Sequence, residues 1–179
     1  MRKLLILGAG GYGRTVADVA AQLGCYDHIY FLDDGRRGEG ILANCSWFRE
    51  LWDEDTEEYP AFGDNALRMQ WLNRLKENNI PVPTLVHPSA YVSPTAKLGV
   101  GTVVLPKAVV NTEVILGDGC LINIGALVDH TCIIGDGAHL APGAIVKAEN
   151  QIPAGMKIEA GTVVENRTYP LEGSMQLWK

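Results

Sequence analysis

The chain has 179 residues and a mass of 19.4 kDa, enough for one large domain or two small ones. At 47% hydrophobic and 20% charged it can bury a core, which excludes a disordered tail. Its 21 acidic against 15 basic residues give a net charge of −6 with no Lys/Arg cluster, which argues against nucleic-acid binding. No apolar run reaches the ~18–20 residues that span a bilayer, so no membrane insertion is expected. The opening MRKLLILGAGGYG is basic, then apolar, then turns on glycines without a small-residue cleavage site. It reads as a buried strand and not a signal peptide. Cys25, Cys45, Cys120 and Cys132 form no CxxC pair and no disulfide framework. They read as small buried residues of a reducing, cytoplasmic protein.

In chain order, Arg2–Leu7 reads as a buried parallel strand, followed by the GxGxxG run Gly8, Gly10, Gly11, Tyr12 and Gly13. Thr15–Leu23 reads as a helix closed by Gly24, and Ile29–Leu32 as a second strand ending in Asp33 and Asp34. This is a βαβ nucleotide fingerprint: the glycines let backbone approach phosphate, the helix start favours an anion, and an acid at the strand end suits a ribose. The alternative is that these glycines serve only tight strand–helix packing. About eighty residues hold little more than one mononucleotide half, so a nucleotide-sugar fits better than a dinucleotide, and a dehydrogenase is disfavoured. Residues 36–60 are acidic and aromatic and read as a short helix near Ser46–Leu51 within a solvated loop. Phe62, Gly63, Asp64 and Asn65 then cap a helix reaching Asn79, whose Leu67, Trp71, Leu72 and Leu75 form a core stripe.

The character changes at Pro81-Val82-Pro83, which disfavours helix on both sides. We expect a Rossmann-like α/β half domain over residues 1–84 and an all-β domain over 85–179. The second carries a period of six. Val86, Val92, Leu98, Val104, Val110, Leu116, Ile122, Val128, Ile134, Leu140, Val146, Ile152, Ile158 and Val164 are all aliphatic. At the chain's 47% hydrophobic frequency, chance gives such a run on the order of once in 10⁴–10⁵. Small residues such as Ala90, Ala96, Cys120 and Ala126 follow four places later, and glycines punctuate the gaps. A spacing of six is neither helical nor that of a simple strand, and a β-sandwich gives no reason for it. A parallel β-helix does, with a short strand and a tight turn in each hexad.

Of four histidines, His28 at a strand start and His87 before the repeats read as structural. His130 and His139 lie off the inward register and should face outward. They are nine residues apart, half of a three-hexad coil, so they cannot share one site within a single chain. They can meet across the interface of a homotrimer with intersubunit sites. An outward imidazole in a cleft suits a general base. The plainer reading is an interface-packing histidine. Asp129 precedes His130 but should point the other way along the strand.

The stretch from Asn123 through His130 and His139 to Ala144, with LILGAGGYGRTVADVA, FLDD, FGDNALR and TLVHPSAYVSP, resembles the hexapeptide-repeat sugar acetyltransferases. Their types include sialic-acid O-acetyltransferase and the bacillosamine-pathway UDP-amino-sugar N-acetyltransferase. The resemblance covers roughly residues 2–148. It implies a left-handed β-helix, a trimer, a UDP-sugar or related sugar held by the N-terminal domain, acetyl-CoA held by the β-helix, and a place in glycan biosynthesis. His130 would be the base, His139 of the adjacent chain would lie by the acetyl group, and Asn123 would contact substrate. The backbone N–H at Ala148 would face the developing oxyanion. Gly8, Gly10, Gly11, Tyr12, Gly13, Asp33, Asp34, Gly63 and Asn65 would line the nucleotide pocket. The chain departs from the family in having Tyr12 for a usual histidine, Thr131 for an acid beside the base, and Ala148 for a glycine. It also has Glu165–Pro170 where a Gly-x-Pro-Ala signature is usual. These departures keep a second reading open, a catalytically impaired trimeric scaffold or nucleotide-sugar sensor. A zinc site of the γ-carbonic-anhydrase type needs a third outward histidine at the right spacing, so no metal is expected.

Overall fold

A computed structural model describes residues 1–171; the end of the expected 85–179 domain, residues 172–179, lies outside them. The chain forms two compact units, Met1–Pro88 and Ser89–Lys179. In the first, β1 (Lys3–Leu7), β2 (His28–Leu32), β3 (Ile41–Ala43) and β4 (Thr56–Pro60) make a parallel sheet in the order β3-β2-β1-β4. Helix α1 (Gly11–Leu23) crosses from β1 to β2 and ends on Gly24 in the left-handed region, φ 65°. Helix α2 (Asn65–Glu77) follows β4, and β5 (Leu85–Val86) closes the unit. Strand alternation sorts the two faces. Ile6, Phe31 and Tyr59 look toward α1, where the Tyr12 and Tyr59 hydroxyls bond at 2.9 Å. Leu7 and Leu32 look the other way, into a core with Cys45, Phe48, Leu75 and Ile80.

Three expectations for this unit need correction. The acidic stretch is not one solvated loop, because β3 and β4 lie within it and only a 3-10 turn at Cys45–Trp47 occupies the expected helix. In α2, Leu67 is 38% exposed, and the long side chain buried beside Leu72 and Leu75 is Arg68. Cys25 is exposed; Cys45, Cys120 and Cys132 are buried.

The second unit is a stack of two-residue strands. They are β6 (Tyr91–Val92), β7 (Lys97–Leu98), β8 (Val103–Val104), β9 (Val109–Val110), β10 (Ile115–Leu116), β11 (Leu121–Ile122), β12 (Leu127–Val128), β13 (Ile133–Ile134), β14 (His139–Leu140), β15 (Ile145–Val146), β16 (Gln151–Ile152), β17 (Lys157–Ile158) and β18 (Val163–Val164). Every strand ends on the aliphatic residue of its hexad. Each pairs in parallel with the strand three hexads away, giving the orders β18-β15-β12-β9-β6, β16-β13-β10-β7 and β17-β14-β11-β8. Three sheets therefore enclose one interior. Val104, Val110, Ile122 and Leu140 fill it together with Ala108, Cys120, Ala126 and Ala144, all at 0% exposure. Asn150 is fully buried at a small-residue position, and its amide donates to the Lys147 and Glu165 carbonyls while its oxygen accepts from the Tyr169 N–H.

The turns are equally regular. From residue 101 to 167, every sixth residue has φ between 57° and 71°, three places after each aliphatic position. Seven of these corners are glycine. The other five are Lys107, Glu113, Thr131, Glu149 and Arg167.

Candidate functional site

In the first unit the candidate residues gather at the carboxyl ends of β1, β2 and β4, the edge where parallel α/β sheets bind ligands. The glycines there divide by cause. Gly8 has φ 101°, and a Cβ on Gly13 would stand 1.9 Å from the Gly8 carbonyl oxygen, so these two are required by the fold itself. Gly10, Gly11 and Gly63 face open space, where a Cβ would meet nothing within 4 Å. Their lack of a side chain leaves room for backbone to approach a ligand, which packing alone does not account for.

Asp33 works on the backbone. Its Oδ2 accepts from the Ala9 N–H at 2.8 Å, and its Oδ1 accepts from Gly35 at 2.9 Å and Arg36 at 2.7 Å. Burial pushes its carboxyl up, but these bonds outweigh that and hold it below the usual carboxylate range. Asp34 Oδ1 accepts from the Cys45 N–H at 2.8 Å. The two acids thus lock the glycine turn to the loop after β2. Asn65 Oδ1 accepts from Arg68, which also donates to the Phe62 carbonyl, so a buried guanidinium fixes the turn that carries Gly63. The half-buried Tyr12 hydroxyl rests on Tyr59, and burial raises its pKa to about 12.

In the second unit, His139 stands on β14 and faces outward, half buried. The amide of Asn123, at the corner after β11, donates to its Nε2 at 3.1 Å while the Asn123 oxygen accepts from the Ile124 N–H. An amide nitrogen can only donate, so Nε2 is the acceptor and the ring proton lies on Nδ1. His130 is on a different face, exposed at the tip of the corner after β12. The Thr131 hydroxyl lies 3.2 Å from its Nδ1. Asp129 does not reach the ring by hydrogen bond; its Oδ1 accepts from the His130 backbone N–H at 2.7 Å and from the Asn111 amide at 3.1 Å.

Ala148 occupies the same corner one coil on. Asn111 and Asp129 each accept the N–H of the tip residue that follows them, Thr112 and His130. Before Ala148 the corresponding residue is Lys147, which carries no acceptor and pairs with Glu165. Among the described residues the Ala148 N–H has no acceptor. Beside it, Glu149 forms a bond with Arg167 that holds its carboxyl below the usual range; burial opposes this, and the charges of Arg167 and His130 add to it.

An apolar groove of about 260 Å³ crosses this face, floored by Val109, Leu127 and Ile145 and rimmed by Asn111, Asp129 and Lys147. In the sequence Thr131 stands out only as a departure from the family pattern, and nothing there marks Tyr59 or Arg68. The spacing of 131 from the glycine corners was the one available signal. Among the described residues no group of three or more His, Cys, Asp or Glu could hold a metal ion, and no helix is long and apolar enough to cross a membrane.

Residues 3–75 match the PglD N-terminal domain family. The acetyltransferase domain of PglB from Neisseria gonorrhoeae FA1090, in complex with acetyl coenzyme A, is 36% identical over 92% of this chain and 82% of its own, with a TM-score of 0.90. PerB from Caulobacter crescentus, in complex with CoA and GDP-perosamine, is 26% identical over 93% of this chain and 90% of its own, with a TM-score of 0.81. WeeI from Acinetobacter baumannii AYE, at 20% identity over 92% of this chain and 81% of its own, shares the fold with a TM-score of 0.82. With its Rossmann-like α/β part and its left-handed parallel β-helix, the chain belongs to the sugar acetyltransferases of the hexapeptide-repeat family.

Proposed function

We propose that this chain transfers an acetyl group from acetyl-CoA directly to an amine or hydroxyl of a nucleotide-linked sugar, with His130 as general base. The observation that carries the reading is the likeness along 92% of the chain to an acetyltransferase domain in complex with acetyl coenzyme A. The complex of PerB with GDP-perosamine supports a nucleotide-sugar acceptor. In the first unit the open backbone at Gly10, Gly11 and Gly63 suits a diphosphate, and Asp33 and Asp34 hold that loop in shape.

In the second unit the apolar groove suits an acyl-pantetheine arm, with polar partners for its amides on the rim. His130 removes the proton from the acceptor N–H or O–H as its lone pair forms a bond to the thioester carbonyl carbon. The Ala148 N–H meets the oxygen on which negative charge develops. Collapse breaks the C–S bond, and the proton leaves with the CoA thiol. The reading includes a homotrimer in which the partner subunit's His139 lies by the acetyl group and Asn123 contacts substrate. The outward column of Tyr91 (54% exposed), Leu127 (37%) and Val163 (44%) supports a face that assembly covers. The reading includes a cytoplasmic reaction within glycan biosynthesis, drawing on acetyl-CoA and a sugar nucleotide.

A thiol-release assay with acetyl-CoA against a panel of UDP- and GDP-linked amino sugars and free sialic acids tests this. One acceptor should support turnover, and His130→Ala should lower it by ~10²–10⁴ with folding and assembly unchanged. Full activity in that variant refutes the base assignment.

A further inference from the structure

Twelve successive corners of the β-helix demand the left-handed backbone region, and seven meet the demand with glycine. Lys107, Glu113, Glu149 and Arg167 are unbranched at Cβ. Thr131, φ 57°, is the only β-branched residue among the twelve, and a branched Cβ is the one this region tolerates least. It is also the residue next to His130, with its hydroxyl 3.2 Å from the ring Nδ1. A strained residue kept beside a reactive group points to a use for its side chain.

We propose that Thr131 is the positioning residue for His130: its hydroxyl accepts a hydrogen bond from the Nδ1–H and thereby presents the Nε2 lone pair to the acceptor. This rests on the reading of His130 as base. The acid before His130 does not take this part: among the described residues Asp129 makes no hydrogen bond to the ring, and its Oδ1 accepts instead from the His130 backbone N–H and the Asn111 amide. Glycine would relieve the backbone but supply no acceptor. Serine would supply one on a freer rotor, whereas the threonine methyl restricts χ1 and holds the oxygen in place. Among the described residues Nε2 of His130 makes no hydrogen bond, as a base awaiting its substrate requires.

The test uses the full chain with ¹⁵N-labelled histidine and four variants, T131V, T131S, T131G and H130A. T131V keeps the branching and the strain while removing only the oxygen. In the wild type the His130 nitrogens should report one neutral tautomer, protonated at Nδ1; in T131V they should report a mixture, and T131S should restore the single form. With acetyl-CoA and the best acceptor of the panel, T131V should lose about tenfold in kcat at unchanged KM, and T131S should recover most of it. T131G should be as slow as T131V yet melt at a higher temperature, which separates positioning from stability. Wild-type kcat and an unchanged tautomer in T131V, beside an inactive H130A, overturn the positioning role alone. Full activity in H130A overturns the base and this proposal with it.

Discussion

Glu58 is a carboxyl at 0% exposure, and among the described residues neither of its oxygens has a hydrogen-bond partner. Burial raises its pKa to about 8. A carboxyl whose folded pKa lies above its unfolded value binds a proton more tightly when folded. The resulting stability is fully present below the unfolded pKa, near 4.5, and is lost as pH rises through about 8. Unfolding free energy should therefore fall by a few kcal/mol between pH 5 and pH 8. Glu58→Gln should flatten that dependence and raise stability at pH 8; denaturant titrations at the two pH values decide it. The sequence concealed this residue. Glu57 and Glu58 sit in an acidic run that reads as solvated, yet alternation along β4 sends one side chain to Arg2 and Tyr26 and the other into the core. Charge alone does not say which face a residue takes. Likewise the Asp33 and Asp34 pair was legible as a strand end, but its grip on backbone N–H groups depends on loop geometry that spacing does not encode.

At the scale of elements, the glycine turn before α1 makes two opposed predictions. Gly13→Ala forces a Cβ onto the Gly8 carbonyl oxygen and should destabilise the unit by about 3 kcal/mol or more, read as a lowered Tm. Gly10→Ala meets no atom, so its cost to stability should stay under about 1 kcal/mol while nucleotide-sugar KM rises. A variant at Gly10 that melts normally and binds normally would show that the open side of the turn takes no ligand. In the β-helix, Asn150→Ala strips three backbone groups of their partner inside the column and should cost about 2–4 kcal/mol. The β-helix was the most legible element, because its interior accepts one aliphatic and one small residue per hexad and records that demand in the sequence. Its non-glycine corners were not legible: Thr131 and Glu149 carry no local signal for a left-handed φ and reveal it only through their distance from Gly125, Gly137, Gly143 and Gly155.

For the whole molecule, assembly is the decisive measurement. Sedimentation velocity should give a species near three times 19.4 kDa. Replacing Tyr91 by Glu, on the exposed apolar column and outside the groove assigned to the acyl arm, should dissociate it and abolish turnover together. A monomer that retains full turnover would remove the partner subunit's His139 from the site. With a net charge of −6 on each chain, such an assembly would present an acidic exterior.

The strict pairing of each strand with the one three hexads away sets a rule for how this column can change length. Removing six residues upstream of Asn123 would rotate every later side chain by one face, so His130 and His139 would both leave their present walls. Removing eighteen would return each to its wall, one storey lower. Natural and engineered insertions should therefore be tolerated in whole storeys and rejected in thirds, wherever a function depends on which wall a residue faces.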